Sequence, residues 1–206
     1  MTQPGNELRR AFGDIDIYLF DQLLRGRITR EMKVLDAGCG HGRNLVFLLR
    51  QGFDVSAIDA GKGAVEAVRM LARELAPSLS EDRFQVAPVE KVPYPDQAFD
   101  VVISSAVLHF ANDEAHWWAM LREMWRVMRP GGLLFARLAT SIGHETRIRP
   151  VGNGRYVLPD GSERFLVDEA LMMRATHELG GELLDPLKTS VVQDTRSMMT
   201  WVVRKS

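Results

Sequence analysis

A single cysteine, Cys39, stands among 206 residues, so no disulfide can close within the chain, and a reducing compartment is the expectation. Long apolar runs are also missing. Val101-Val102-Ile103 is typical of those present, far below the roughly 20 residues that a membrane-spanning helix needs. Neither sign of charge dominates, with 26 Lys and Arg against 27 Asp and Glu, which excludes a whole-molecule basic field that would draw nucleic acid or anionic membrane. The opening Met1-Thr2-Gln3-Pro4-Gly5-Asn6 lacks the basic head and apolar core of a secretion signal, and a cytoplasmic protein with neither membrane nor nucleic-acid partners is expected. His41, His116 and His177 have no spacing that would join Cys39 in a metal site, so no metal is expected. There is no Gly-x-Ser-x-Gly nucleophile motif and no internal repeat.

What is present is an alternation of strands and helices. From Asp14 to Leu24, Ile15, Tyr18, Leu19 and Leu23 recur at near-helical spacing, with Asp14 placed to cap the start and Gly26 the end. Strands are predicted at Lys33 to Ala37, Asp54 to Ile58, Phe84 to Ala87, Phe99 to Ser104 and Leu133 to Leu138. Helices are predicted at Arg43 to Gln51, Gly61 to Ala76 and Asp113 to Met128, the last ending before a turn at Pro130-Gly131-Gly132. This order argues for a parallel sheet with helices on both faces. The last third differs: a hairpin from Tyr156-Val157-Leu158 to Arg164-Phe165-Leu166-Val167, a helix from Asp168 to Leu179, then two stretches, Leu183 to Val192 and Met198 to Val203, close enough to pair antiparallel. The length suits one domain, 1–206, with a helical cap over about 1–30 and an inserted lid over about 143–167.

Val34-Leu35-Asp36-Ala37-Gly38-Cys39-Gly40-His41-Gly42-Arg43-Asn44 reads as a buried strand running into a glycine-rich turn and a helix. Alternate glycines let a ligand approach main chain that side chains would shield, as a seat for a nucleotide-like cofactor requires. A dinucleotide fingerprint wants glycines at its first, third and sixth positions. Counted from Gly38 they fall at the first, third and fifth, with Arg43 at the sixth, which disfavours a nicotinamide. Asp59 ends the second strand, where a carboxylate accepts both hydroxyls of a ribose; its plainer reading is a cap for the helix beginning near Gly61.

Taken together, the loop from Val34 to Gly42, Asp59, Val92-Pro93-Tyr94-Pro95-Asp96-Gln97-Ala98-Phe99-Asp100, Ser104-Ser105-Ala106-Val107-Leu108-His109 and Leu121 through Gly132 resemble, in order, the motifs of class I S-adenosylmethionine-dependent methyltransferases. The resemblance covers about residues 30 to 140 and implies an α/β fold: a Rossmann-like three-layer sandwich around seven mostly parallel strands, the last antiparallel. It implies S-adenosyl-L-methionine as cofactor, held by Asp36, Gly38, Cys39, Gly40, Asn44, Asp59, Ala60, Val89, Glu90, Ser104 and Ser105. Asp36 and the Ser104 carbonyl would meet the methionyl amino group. Many relatives place an Asp-Ala pair after the third strand to hold adenine; here Pro88-Val89 stands instead, and Glu90 is expected to substitute.

Transfer of a methyl from a sulfonium is an in-line attack governed by orientation and exclusion of water, so few catalytic side chains are needed. His109 is the candidate general base, its alternative role being to line the pocket or cap the next turn. Trp117, Trp118 and the methionines Met120, Met124 and Met128 read as core. Tyr18, His109, His144, Arg147 and Arg155 are the candidates for holding the acceptor, the arginines suiting a carboxylate or phosphate, although an ordinary solvated loop is the favoured reading of the arginine segment. A small-molecule acceptor is expected, while the acceptor atom and the oligomeric state are left open. Two rivals remain at this stage: an NAD(P)-dependent oxidoreductase of Rossmann type and a non-enzymatic S-adenosylmethionine-binding protein.

Overall fold

The computed structural model describes residues 4–193 and 195–206. The described strands of the main sheet are β1 (Lys33–Ala37), β2 (Asp54–Asp59), β3 (Phe84–Val86), β4 (Phe99–Ser105), β5 (Met128–Ala139), β9 (Gly181–Leu183), β10 (Lys188–Val192) and β11 (Arg196–Lys205). They lie in the order β10-β11-β5-β4-β1-β2-β3, and β9 also pairs with β11. β9 meets Val203 to Lys205 while β10 meets Arg196 to Thr200. Two short strands thus share one lane, and the sheet has seven lanes. β1 to β5 run parallel, and β11 runs antiparallel to β5. The expected α/β sheet, mostly parallel with its last strand reversed, is what the chain forms.

Side-chain alternation along the strands builds two cores. Leu35, Val102, Leu134 and Trp201 face α5 (Glu114–Val127) and α6 (Glu169–Glu178). Val34, Val101, Phe135 and Val202 face α2 (Ile17–Leu24), α3 (Leu45–Arg50) and α4 (Lys62–Leu75). Three layers follow, preceded by the short α1 (Pro4–Phe12). Asp113 and Asp168 cap α5 and α6 as helix starts require, accepting from His116 N–H and Leu171 N–H.

Three local readings need correction. Asp16, not Asp14, caps α2, accepting from Tyr18 N–H, because only Asp16 is buried and tied to Arg137. Pro130-Gly131-Gly132 is no turn between elements but a bulge within β5, where register passes from Phe99↔Met128 to Val101↔Leu133. Leu183 to Val192 is interrupted by Asp185-Pro186, whose proline has no N–H for a ladder. The hairpin between β5 and α6 gains a third strand: β6 (Arg149–Gly152), β7 (Arg155–Val157) and β8 (Glu163–Phe165) form a small antiparallel sheet.

Candidate active site

The carboxyl ends of β1, β2 and β4 open onto a cavity of about 610 Å3. Of the eleven residues expected to hold a cofactor, nine line it: Gly38, Cys39, Gly40, Asn44, Asp59, Ala60, Val89, Glu90 and Ser105. Gly38 and Gly40 both have positive φ, +84° and +52°. They do different work. A Cβ on Gly38 would collide with the Val107 side chain, so that glycine lets the loop pack under the β4 exit; a Cβ on Gly40 would stand in open space, so its main chain faces the cavity. Asp59 holds this shape by accepting from Gly40 N–H at 2.9 Å and Gly61 N–H at 2.8 Å. The two readings of that carboxylate therefore coexist: it caps the turn and also lines the cavity.

Asp36 and Ser104 lie beneath the lining. Both are buried, and neither the Asp36 carboxylate nor the Ser104 hydroxyl has a hydrogen-bond partner. Burial drives the Asp36 carboxyl up to about 7, Arg43 opposing the rise and Asp59 adding to it. A buried carboxylate without a partner is costly, and a cation brought beside it would relieve that cost. The Cys39 thiol is likewise pushed up by burial and the neighbouring acids, which keeps it inert.

Residues that the sequence did not single out complete the cavity. Arg43 crosses to Ser105, donating to its Oγ at 2.9 Å, and reaches Asp16 at 3.5 Å. Asp16 accepts from Arg137 at 2.6 Å, and its N–H donates to Asn44 Oδ1 at 3.0 Å. The start of α2 is thus fastened to the helix that follows the glycine loop. Glu90 stands at the cavity's opposite end with His116 Nε2 at 3.5 Å. Val107, Phe110 and Met120 supply apolar wall. Ala106 holds φ of +65°, a strained geometry for a residue with a Cβ and one that clusters at functional sites.

The acceptor candidates are placed elsewhere. Tyr18 Oη pairs with Ser190 Oγ at 2.7 Å, and His144 Nε2 with the Gln193 carbonyl at 3.2 Å. Arg155 donates to Glu163 and to the Ala111 carbonyl, pinning the small sheet to the β4 exit rather than reaching a ligand. Arg147 lines neither this cavity nor the smaller one beside it. His109 lies outside the large cavity and lines the smaller one, of about 240 Å3. Its Nδ1 accepts from Ala139 N–H at 3.3 Å, and burial together with Arg164 lowers the ring to about 4. A neutral ring whose Nδ1 accepts carries its proton on Nε2, which makes it a donor. In that state neither nitrogen offers the lone pair a general base needs.

Among the described residues no group of three His, Cys, Asp or Glu is arranged to hold a metal ion, and no helix is long and apolar enough to cross a membrane.

Comparison with known proteins matches residues 35–136 to the family described as a methyltransferase domain. Malonyl-[acyl-carrier protein] O-methyltransferase of Serratia marcescens is 36% identical over 108 residues, covering 52% of this chain and 38% of that protein. The 27-O-demethylrifamycin SV methyltransferase of Amycolatopsis mediterranei (strain S699) is 33% identical over 132 residues, covering 59% of this chain and 46% of that one. The matched regions thus span under half the length of either relative. Among solved structures, a SAM-dependent methyltransferase of Methanosarcina mazei superposes with TM-score 0.73 at 19% identity, over 89% of this chain and 96% of that one. A 1,6-didemethyltoxoflavin-N1-methyltransferase of Burkholderia thailandensis superposes with TM-score 0.70 at 20% identity, over 98% and 82%. The matched domain, like the glycine spacing, disfavours the oxidoreductase rival. Glycine spacing, sheet order and the match over residues 35–136 agree in likening this chain to methyltransferase domains, and the solved methyltransferases share its fold.

Proposed function

We propose that this chain transfers the methyl group of S-adenosyl-L-methionine to a small-molecule acceptor. One observation carries the reading: an open glycine loop, with Gly40 main chain facing a 610 Å3 cavity, lies directly over the unpartnered, buried carboxylate of Asp36. The residues fit the cofactor's parts. Asp36 supplies negative charge beneath the site of a methionyl ammonium, Asp59 stands where ribose hydroxyls would donate, and Glu90 beside Val89 substitutes for the usual adenine-binding acid at Pro88. When bound, the cofactor supplies a methyl group on a positive sulfonium.

The chain's own contribution is orientation and dryness. Ala106, Val107 and Phe110 close the end of the cavity nearest the β4 exit. With the cofactor held by Asp36, Asp59, Val89 and Glu90, these walls would orient an acceptor's lone pair toward the methyl group that the cofactor would supply and would keep water out. The described part of the cap, residues 4 to about 30, is fastened through Asp16 to Arg43 and Arg137, and residues about 143–167 form a lid, fastened through Arg155 and by Arg164 over the Phe110 ring.

Calorimetric titration tests the reading. S-adenosylmethionine and S-adenosylhomocysteine are expected to bind and NAD to give no heat, with Glu90→Ala weakening the adenosyl ligands about tenfold. Unchanged affinity in Glu90→Ala would remove that residue from the site; absence of adenosyl binding would overturn the reading. Binding without turnover across a broad acceptor panel would leave a cofactor-binding protein rather than an enzyme.

A further inference from the structure

Resting on the methyltransferase reading, we propose that the 240 Å3 cavity beside the cofactor site anchors the carboxylate of an anionic acceptor, with His109 and Ser197 donating to it and Arg196 supplying its countercharge. This cavity lies between the hairpin β7–β8 and the place where the end of β5 meets the start of β11. Ala106 lines both cavities, so a molecule anchored in the smaller one reaches the larger across a single residue.

The chemistry of the lining selects the charge of the occupant. His109 enters as a neutral Nε2–H donor, because its Nδ1 is already taken by Ala139 N–H. Ser197 contributes a buried hydroxyl that has no partner, while its carbonyl is used by Thr140 N–H. Unsatisfied donors of this kind ask for acceptor oxygens. Two guanidinium groups, Arg164 and Arg196, face one carboxylate, Asp160, which accepts from both Ser162 N–H and Ser162 Oγ. Arg164 is committed to the Glu163 carbonyl and the Phe110 ring at 4.7 Å. Arg196 makes no ion pair among the described residues, which leaves it for a ligand. A cation would meet like charge here, and an apolar group would strand the Ser197 hydroxyl; a planar anion with two acceptor oxygens satisfies both donors.

The test uses the full chain, nitrogen-15 labelled and saturated with S-adenosylhomocysteine, titrated with benzoate and with the neutral isostere benzamide. Benzoate is expected to shift the amides of Arg196, Ser197 and Ala139 together with the His109 ring nitrogens, and benzamide to leave them in place. Arg196→Gln should weaken benzoate at least tenfold, and Ser197→Ala, which removes one hydroxyl and keeps the fold, at least threefold, both with S-adenosylhomocysteine affinity within twofold of the parent. Equal shifts from both probes, or benzoate affinity unchanged in both variants, overturns the anion site. Failure of the parent to bind S-adenosylhomocysteine overturns the cofactor reading instead, and the benzoate titration of the free protein then decides this cavity by itself.

Discussion

At the scale of single residues, two buried groups act on stability in opposite directions. The Asp36 carboxyl lies near 7 in the folded chain against 3.8 in a free carboxylate. Between those values the native state holds a proton that the unfolded chain has released, so stability falls as pH rises through the window. Some three pH units correspond to about 4 kcal/mol. His109 runs the other way: its ring drops from 6.5 to about 4, the unfolded chain binds the extra proton between those values, and stability rises with pH. The two slopes oppose each other over most of the same range. Asp36→Asn should therefore gain stability on its parent as pH rises from 4 to 7, by up to about 4 kcal/mol, in denaturant midpoints measured across that range. A pH-independent difference between the two proteins would contradict the burial argument. Adenosyl affinity in the parent should also rise from pH 6 to 8, as the carboxylate ionises toward a cationic partner, and the variant should lack that rise.

At the scale of elements, α2 is held less by its own propensity than by one buried carboxylate. Asp16 caps the helix, accepts from Arg137 and approaches Arg43, with its side chain fully buried. Asp16→Ala strands Arg137 beside an empty position and should cost about 3 kcal/mol. Hydrogen exchange should locate the damage: amides of Ile17–Leu24 lose protection while those of Lys33–Ala37 keep theirs, and uniform loss across both would count against a local fastening. The same contact explains why the cap was misplaced in sequence, since Asp14 and Asp16 are chemically equal until Arg137, 121 residues away from Asp16, chooses between them. The starts of α5 and α6 near Asp113 and Asp168 were legible as helix boundaries, although their capping bonds were not read. β6 was not legible, because all four of its residues are exposed and include Pro150 and Gly152, which read as loop.

At the scale of the whole molecule, cofactor binding and folding are linked. S-adenosylhomocysteine at one hundred times its dissociation constant should add about 2.7 kcal/mol, which for a chain of this length raises Tm by roughly 5–10 °C; NAD at the same concentration should leave the melting curve in place. The cofactor cavity was legible because its residues follow one another along β1, β2 and β4 and carry glycines and acids at strand ends. The smaller cavity was not, since Ala106, His109, Asp160 and Arg196 come from segments that no local pattern joins. The reversed direction of β11 divides that labour along the chain. Because it enters the sheet at the end where the parallel strands leave, Arg196 and Ser197 arrive beside residues of the β4 exit, although they lie about ninety residues further along the chain. Nothing in the glycine loop or at Asp59 depends on their identity. On the proposed reading, substitutions at Arg196 and Ser197 would retune the choice of acceptor without touching the residues that seat the cofactor, although Ala106, lining both cavities, ties the two together.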